Sequence, residues 1–281
     1  MKILWRYFRS SPAPVRVGVF LISVVAIAAP LALPIYQWEY ARTAGKSVVW
    51  APATLVLVFV LALPLWGRYG HYLQSPWATL GFVGGARWFR CWLLACLLGV
   101  GATLFLFGLY VCLGWAVPAI APSGFVILLG EAVLIGLLVG LAEELLFRGW
   151  LLFELGQDYG PRLTLWLNAL LFAIAHYLRP LEAILETWPQ FLGLLLLGLT
   201  LVWARRSPLS RHSPQTSLAW PAGLHAGLVA TYYVVEVGNW VEITGRVPAW
   251  VTGIGNNPLA GVAGLILLGA IATFFYRRSH T

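Results

Sequence analysis

Apolar residues in this chain run in long blocks separated by short polar connections. Eight such blocks can be read, at about 17–36, 48–65, 91–117, 125–146, 163–177, 191–204, 218–235 and 259–276. Most approach the roughly 20 residues that a helix needs to cross a hydrocarbon core. The fifth and sixth are short and are expected to extend into their polar flanks. No internal repeat is visible. The pattern predicts an all-α, polytopic transmembrane helical bundle of about eight spanning helices, organised as a single domain over residues 1–281.

Composition strengthens this reading. Of 281 residues, 60% are hydrophobic and 10% charged, with a mean hydropathy of +0.82. A soluble domain carries about 25% charged residues to cover its surface, so much of this surface must meet a lipid bilayer. The net charge of +8 follows from basic residues at the ends of spans, where they fix orientation and meet anionic lipid. No basic run interleaved with aromatics lies away from a span end, so no nucleic-acid partner is expected.

Charge also predicts topology. With a cytoplasmic N-terminus, fourteen of the 18 Lys and Arg residues fall on inner segments, and only Arg42, Lys46, Arg179 and Arg246 fall outside. A miscounted helix would scramble that alternation, so both termini are expected to be cytoplasmic. Lys2, Arg6, Arg9 and Arg16 precede Ala26-Ile27-Ala28 in an imitation of a secretory signal. The apolar run continues to about Tyr36, long enough to span, and is read as an uncleaved first helix. Two longer connections, 67–90 inside and 236–258 outside, are rich in aromatics suited to the headgroup level. Cys91, Cys96 and Cys112 lie in one apolar stretch without paired metal-ligand spacing and read as small hydrophobes.

Ionisable residues inside membrane helices are expensive, and each is a functional hypothesis. Three places stand out: Glu143-Glu144 with Arg148 at the end of the fourth block, His176 after Phe172 in the fifth, and His225 in the seventh. If the fourth helix continues to about Gly156, Glu143 lies roughly 20 Å from that end, and His176 lies about 24 Å from Gly160. The fifth helix enters from the same side, so these groups can meet at one depth. Glu144 and Arg148 are four apart and share a helix face, which predicts an ion pair. Glu143 points about 100° away and lacks that partner, leaving a carboxylate free to take a proton from water. Gly136 and Gly140, stacked below Glu144, would admit a close helix neighbour. Asn168 shares the face of Phe172 and His176, with structural hydrogen bonding as its expected use. Glu131 is expected to make a polar contact with a neighbouring helix, and His71, His212 and His280 to be solvated.

At these residues the chain resembles the CAAX-protease and bacteriocin-processing (Abi-type, CPBP) intramembrane proteases. Two glutamates, three residues, then arginine match Glu143, Glu144 and Arg148; phenylalanine, three residues, then histidine match Phe172 and His176. Histidine, three residues, then a polar residue is matched at His225 but not at Val229. The resemblance covers about Phe125 to Tyr233, and the protease-like core is drawn at 125–235. It implies a hydrolase without a cofactor. Glu143 and His176 would activate a water, His225 would stabilise the oxyanion, and Glu144 and Arg148, with the motif residue Phe172, would orient the site, which Asn168 could also touch from its place on the same helix face. The implied substrate is a membrane-embedded or membrane-anchored peptide or protein. With valine at 229, either another donor replaces the missing one, Asn168 and Thr231 being the nearest, or the protein is an inactive relative that scaffolds another membrane protein. Zinc held by Glu143, His176 and His225 stays open, since carboxylate and imidazole both suit it. So does a small-molecule transporter, although such folds show repeat symmetry and matched broken helices.

Overall fold

The computed structural model describes residues 10–44, 49–119, 124–210 and 213–280, with backbone only at 213–214. Lys2, Arg6, Arg9, Lys46, Arg211 and His212, used above to reason about charge, lie outside the described residues. Helices stand at all eight expected blocks: α1 (Ala13–Thr43), α2 (Trp50–Leu65), α4 (Gly85–Cys112), α5 (Phe125–Glu144), α7 (Pro161–Ala175), α9 (Phe191–Arg206), α10 (Ala219–Val237) and α12 (Val262–Arg278). Shorter helices α3 (Pro76–Thr79), α6 (Leu152–Asp158), α8 (Leu181–Thr187) and α11 (Ala249–Thr252) complete the set. Two antiparallel ribbons interrupt it: β1 (Ala116–Pro118) pairs with β4 (Val241–Ile243), and β2 (Pro208–Ser210) with β3 (Ser213–Thr216).

The fold is all-α and belongs in a membrane. Among the described residues, five helical stretches are long and apolar enough to cross one: Ala13–Thr43, Trp50–Gly70, Gly85–Cys112, Phe125–Asp158 and Leu181–Arg206. Large aliphatic side chains such as Val126, Ile127, Leu138 and Leu178 are exposed. Water would penalise such a surface, and lipid does not.

The chain divides into two compact units. The first holds residues 1–80 and Phe153–Tyr159. In it α1 packs along α2, and a buried polar cluster gathers on Glu154. Glu154 Oε2 accepts from Arg16 Nε at 2.9 Å, while its Oε1 accepts from Trp66 Nε1 and His71 Nε2, each at 2.7 Å. The expectation that His71 is solvated is overturned: a buried carboxylate holds the ring, whose side chain is 6% exposed. Elsewhere in this unit Glu39 of α1 accepts from the backbone N–H groups of Val49, Trp50 and Ala51. It thereby satisfies donors that the start of α2 would otherwise leave orphaned.

The second unit holds residues 81–152 and 160–281. Here α10 packs against α4 and α5, and α9 packs against α7 and α12. Small residues set these distances. A Cβ added at Gly136 would stand 2.7 Å from the Ala226 carbonyl oxygen, and one at Gly140 would stand 2.7 Å from the Ala226 nitrogen. Real Cβ atoms do not approach that closely, so the two glycines let α5 and α10 meet backbone to backbone. Higher on the same face, Tyr233 of α10 donates to Glu131 of α5 at 3.3 Å, the interhelical contact expected of Glu131.

Candidate active site

Glu143 and Glu144 end the regular part of α5, and the next seven residues, Leu145–Leu151, form a π-helical turn. Such widened turns occur mostly as single insertions and often at functional sites. Here the surroundings explain it. The Phe147 carbonyl accepts from the Leu152 N–H, five residues on, and also from Asn168 Nδ2 at 2.7 Å. Arg205 Nε donates to the Arg148 carbonyl at 3.3 Å. Side chains from α7 and α9 thus take up main-chain groups that a wider turn presents.

That turn aims Arg148 inward. Its Nη1 donates to Glu144 Oε1 at 2.9 Å and its Nη2 to the Gly198 carbonyl at 3.2 Å, and both side chains of the ion pair are fully buried. The guanidinium lies over the Phe172 ring, 4.1 Å from its centroid. Phe172 also presents its ring edge-on to Phe147, His176 and His225. It packs against the Arg148 guanidinium and against both imidazole rings, and that accounts for its place in the pattern.

The imidazoles are held in matching ways. His176 is the first residue after α7, and its Nδ1 stands 2.8 Å from the Phe172 carbonyl. His225 lies within α10, where the Gly136 and Gly140 approach brings its Nδ1 to 2.9 Å from Glu144 Oε1. A carbonyl and a carboxylate only accept, which assigns the proton to Nδ1 in both rings and turns both Nε2 atoms to the site. There, Glu143 Oε2 is 3.9 Å from His176 Nε2 and 4.0 Å from His225 Nε2. These separations exceed direct hydrogen bonding and suit a bridging water. Glu143 Oε2 is buried without a hydrogen-bond partner among the described residues.

Exposure grades across the cluster. The Glu143 and His176 side chains are 30% and 28% exposed, His225 5%, and Glu144 and Arg148 not at all. The fully buried pair holds, and the half-open pair can be reached. Glu143, Glu144, Arg148, Phe172, His176 and His225 are brought together, while Asn168 braces the turn that carries Arg148. Among the described residues, no three His, Cys, Asp or Glu groups are placed to hold a metal ion.

The two substitutes named for the donor missing at Val229 are elsewhere. Asn168 is fully buried and spends its amide on Phe147, and Thr231 donates to the Gly227 carbonyl at 2.9 Å within its own helix. His176, His225 and Val229 instead line a largely aliphatic cavity of about 260 Å³, and Gln190 and Asn257 are also among its lining residues. Neither amide could be assigned to the site from sequence, because both sit in connections far from the charged positions. The Asn-Pro pair at 257–258 signals only a turn.

Comparison with known proteins gives one family match. Residues 122–231 match the family described as Rce1-like, type II CAAX prenyl endopeptidase. No curated protein and no solved structure matches the chain. The matched segment contains Glu143, Glu144, Arg148, Phe172, His176 and His225, but neither Asn257 nor the first 80 residues. Over residues 122–231, then, this integral membrane protein is similar to the Rce1-like, type II CAAX prenyl endopeptidases.

Proposed function

We propose that the protein is an intramembrane glutamate-type endopeptidase that cuts a membrane-embedded or membrane-anchored peptide by activating water. One observation carries this reading: a Glu143 carboxylate oxygen without a partner faces two imidazole Nε2 atoms at bridging-water distance. A water held between Glu143 and His176 Nε2 gives one proton to Glu143 as its oxygen bonds to the scissile carbonyl carbon. The carbonyl π electrons pass to its oxygen. His225, when protonated at Nε2, donates to that oxyanion, and the Glu144 carboxylate at Nδ1 stabilises the imidazolium. The C–N bond then breaks, and the leaving amine takes the proton stored on Glu143. His176 holds the water through Nε2, with its ring fixed by the Phe172 carbonyl. No step calls on a metal ion. The family name suggests substrates with a prenylated C-terminal cysteine, and the apolar cavity beside the imidazoles suits a lipidated or aliphatic chain.

Glu143→Gln keeps shape and removes the base. In native cells it should leave uncut precursors to accumulate, and the purified variant should lose about 10²–10⁴-fold in cleavage rate with its thermal midpoint unchanged. Wild-type rates in Glu143→Gln would end the glutamate reading. A wild type that cuts nothing, with Glu143→Gln showing the same proteome, would favour an inactive scaffold, the reading that Val229 encourages.

A further inference from the structure

The cavity beside His176 and His225 has a wall that lies outside the family-matched segment. This wall is residues 257–259, which follow one single 3₁₀ turn, Ile254–Asn256, and run into a second, Pro258–Ala260. Three glycines clamp it. An added Cβ at Gly253 would collide with the Asn257 carbonyl, one at Gly264 with the Pro258 carbonyl, and one at Gly193 with the Leu259 carbonyl. Three successive main-chain carbonyls are thus seated against three glycines, two of them on α9 and α12. A segment packed this closely cannot drift without moving helices, so its side chains are preorganised.

Asn257 also has a defined orientation. Its Oδ1 accepts from the Leu259 N–H at 2.9 Å, which caps the following 3₁₀ turn. The oxygen being committed, the Nδ2 group is the free end, and it has no protein partner among the described residues. The other polar groups of the cavity are less suited to donate. Thr103 gives its hydroxyl proton to the Gly99 carbonyl, and Tyr232 has the Glu236 carboxylate as a neighbour. Val229 has no donor. Gln190 has an amide on a longer, more flexible side chain.

We infer that Asn257 Nδ2 is the second hydrogen-bond donor to the substrate carbonyl, acting with His225 to stabilise its oxyanion where Val229 offers nothing. The inference rests on the endopeptidase reading above and deepens it. A loop of the outer connection, remote in sequence from the three polar motifs, completes the site. Donors of this kind are effective because they are fixed before charge develops and gain most in the transition state.

Asn257→Asp separates the two uses of the side chain: the carboxylate still accepts from Leu259 N–H, but the donor is gone. The assay uses full-length protein in lipid nanodiscs and, as substrate, membranes from cells expressing only Glu143→Gln, with new peptide termini read by mass spectrometry. Asn257→Asp should slow cleavage by about 10²–10³-fold, in kcat rather than KM, with an unchanged thermal midpoint. Adding Val229→Asn to Asn257→Asp should recover at least about tenfold, since an amide at 229 lies on the same cavity wall as His225. Cleavage within about threefold of wild type overturns the inference. So does a loss accompanied by a lowered midpoint and no rescue, which would make Asn257 a loop-building residue only. If Glu143→Gln cuts like wild type, or the wild type cuts nothing, the endopeptidase reading itself falls, and the assignment of Asn257 falls with it.

Discussion

Glu154 in the first unit and Glu143 in the second are made of the same parts. Each is a glutamate on the same long helical stretch, Phe125–Asp158, near histidine and arginine. Glu154 is fully buried, and both its oxygens are taken: one by Arg16, the other by Trp66 and His71. Asp158 adds a second acid to Arg16 at 3.3 Å. Glu143 is partly exposed, and its Oε2 has no bond to any described residue, with two imidazoles standing off at 3.9 and 4.0 Å. Saturation separates a clasp from a reaction site. A carboxylate whose lone pairs are filled by fixed donors can hold helices together, but it has nothing to offer a water. One left unpaired, beside rings whose other nitrogens are tied, can accept a proton. Glu144 stands between the two extremes, since its Oε1 serves both Arg148 and His225.

That intermediate position gives the largest expected effect. Glu144→Ala should strand the fully buried Arg148 and release His225. Stability should fall by about 3–5 kcal/mol, and the protein that remains folded should cut at least about 100-fold more slowly. Both quantities can be read on one preparation, by denaturant titration in mild detergent and by cleavage rate. A stable but inactive Glu144→Ala would show that the ion pair contributes nothing to folding.

The clasp should behave differently. Glu154→Ala takes from Arg16 its buried carboxylate and leaves it the partly exposed Asp158 and two main-chain carbonyls, so a loss of about 3 kcal/mol is expected. The turnover of the folded fraction should stay within about threefold of wild type. Inactivation without destabilisation would mean that Glu154 belongs to the chemistry and that the contrast drawn here is false. The smallest effect is expected from Trp66→Phe, which keeps the ring packing and removes one of three donors to Glu154. It should cost about 1.5–3 kcal/mol, the range for a hydrogen bond to a charged group, with no change in cleavage. A loss as large as that of Glu154→Ala would show that the indole, rather than Arg16, carries the cluster.

Much of this was legible from residue types and spacing. Blocks of about 20 apolar residues specify spanning helices, because lipid forces every backbone group to be satisfied within its own segment. The spacing of Glu144 and Arg148 specifies their pairing, because helical geometry alone brings positions four apart together. Gly136 and Gly140 announced a close neighbour without saying which. Only tertiary structure decided that the neighbour is α10 and that it delivers His225 Nδ1 to Glu144. The same holds for His71, whose polar setting in the sequence suggests solvent but which folding buries against Glu154. Nothing local marks Asn257, since an amide becomes a donor to a reaction only through what other helices bring opposite it. Periodic chemistry along one helix is written in that helix, whereas the partner of a side chain across a cavity is fixed by packing between segments far apart in sequence. The arrangement of lone pairs around Glu143 comes from the fold alone.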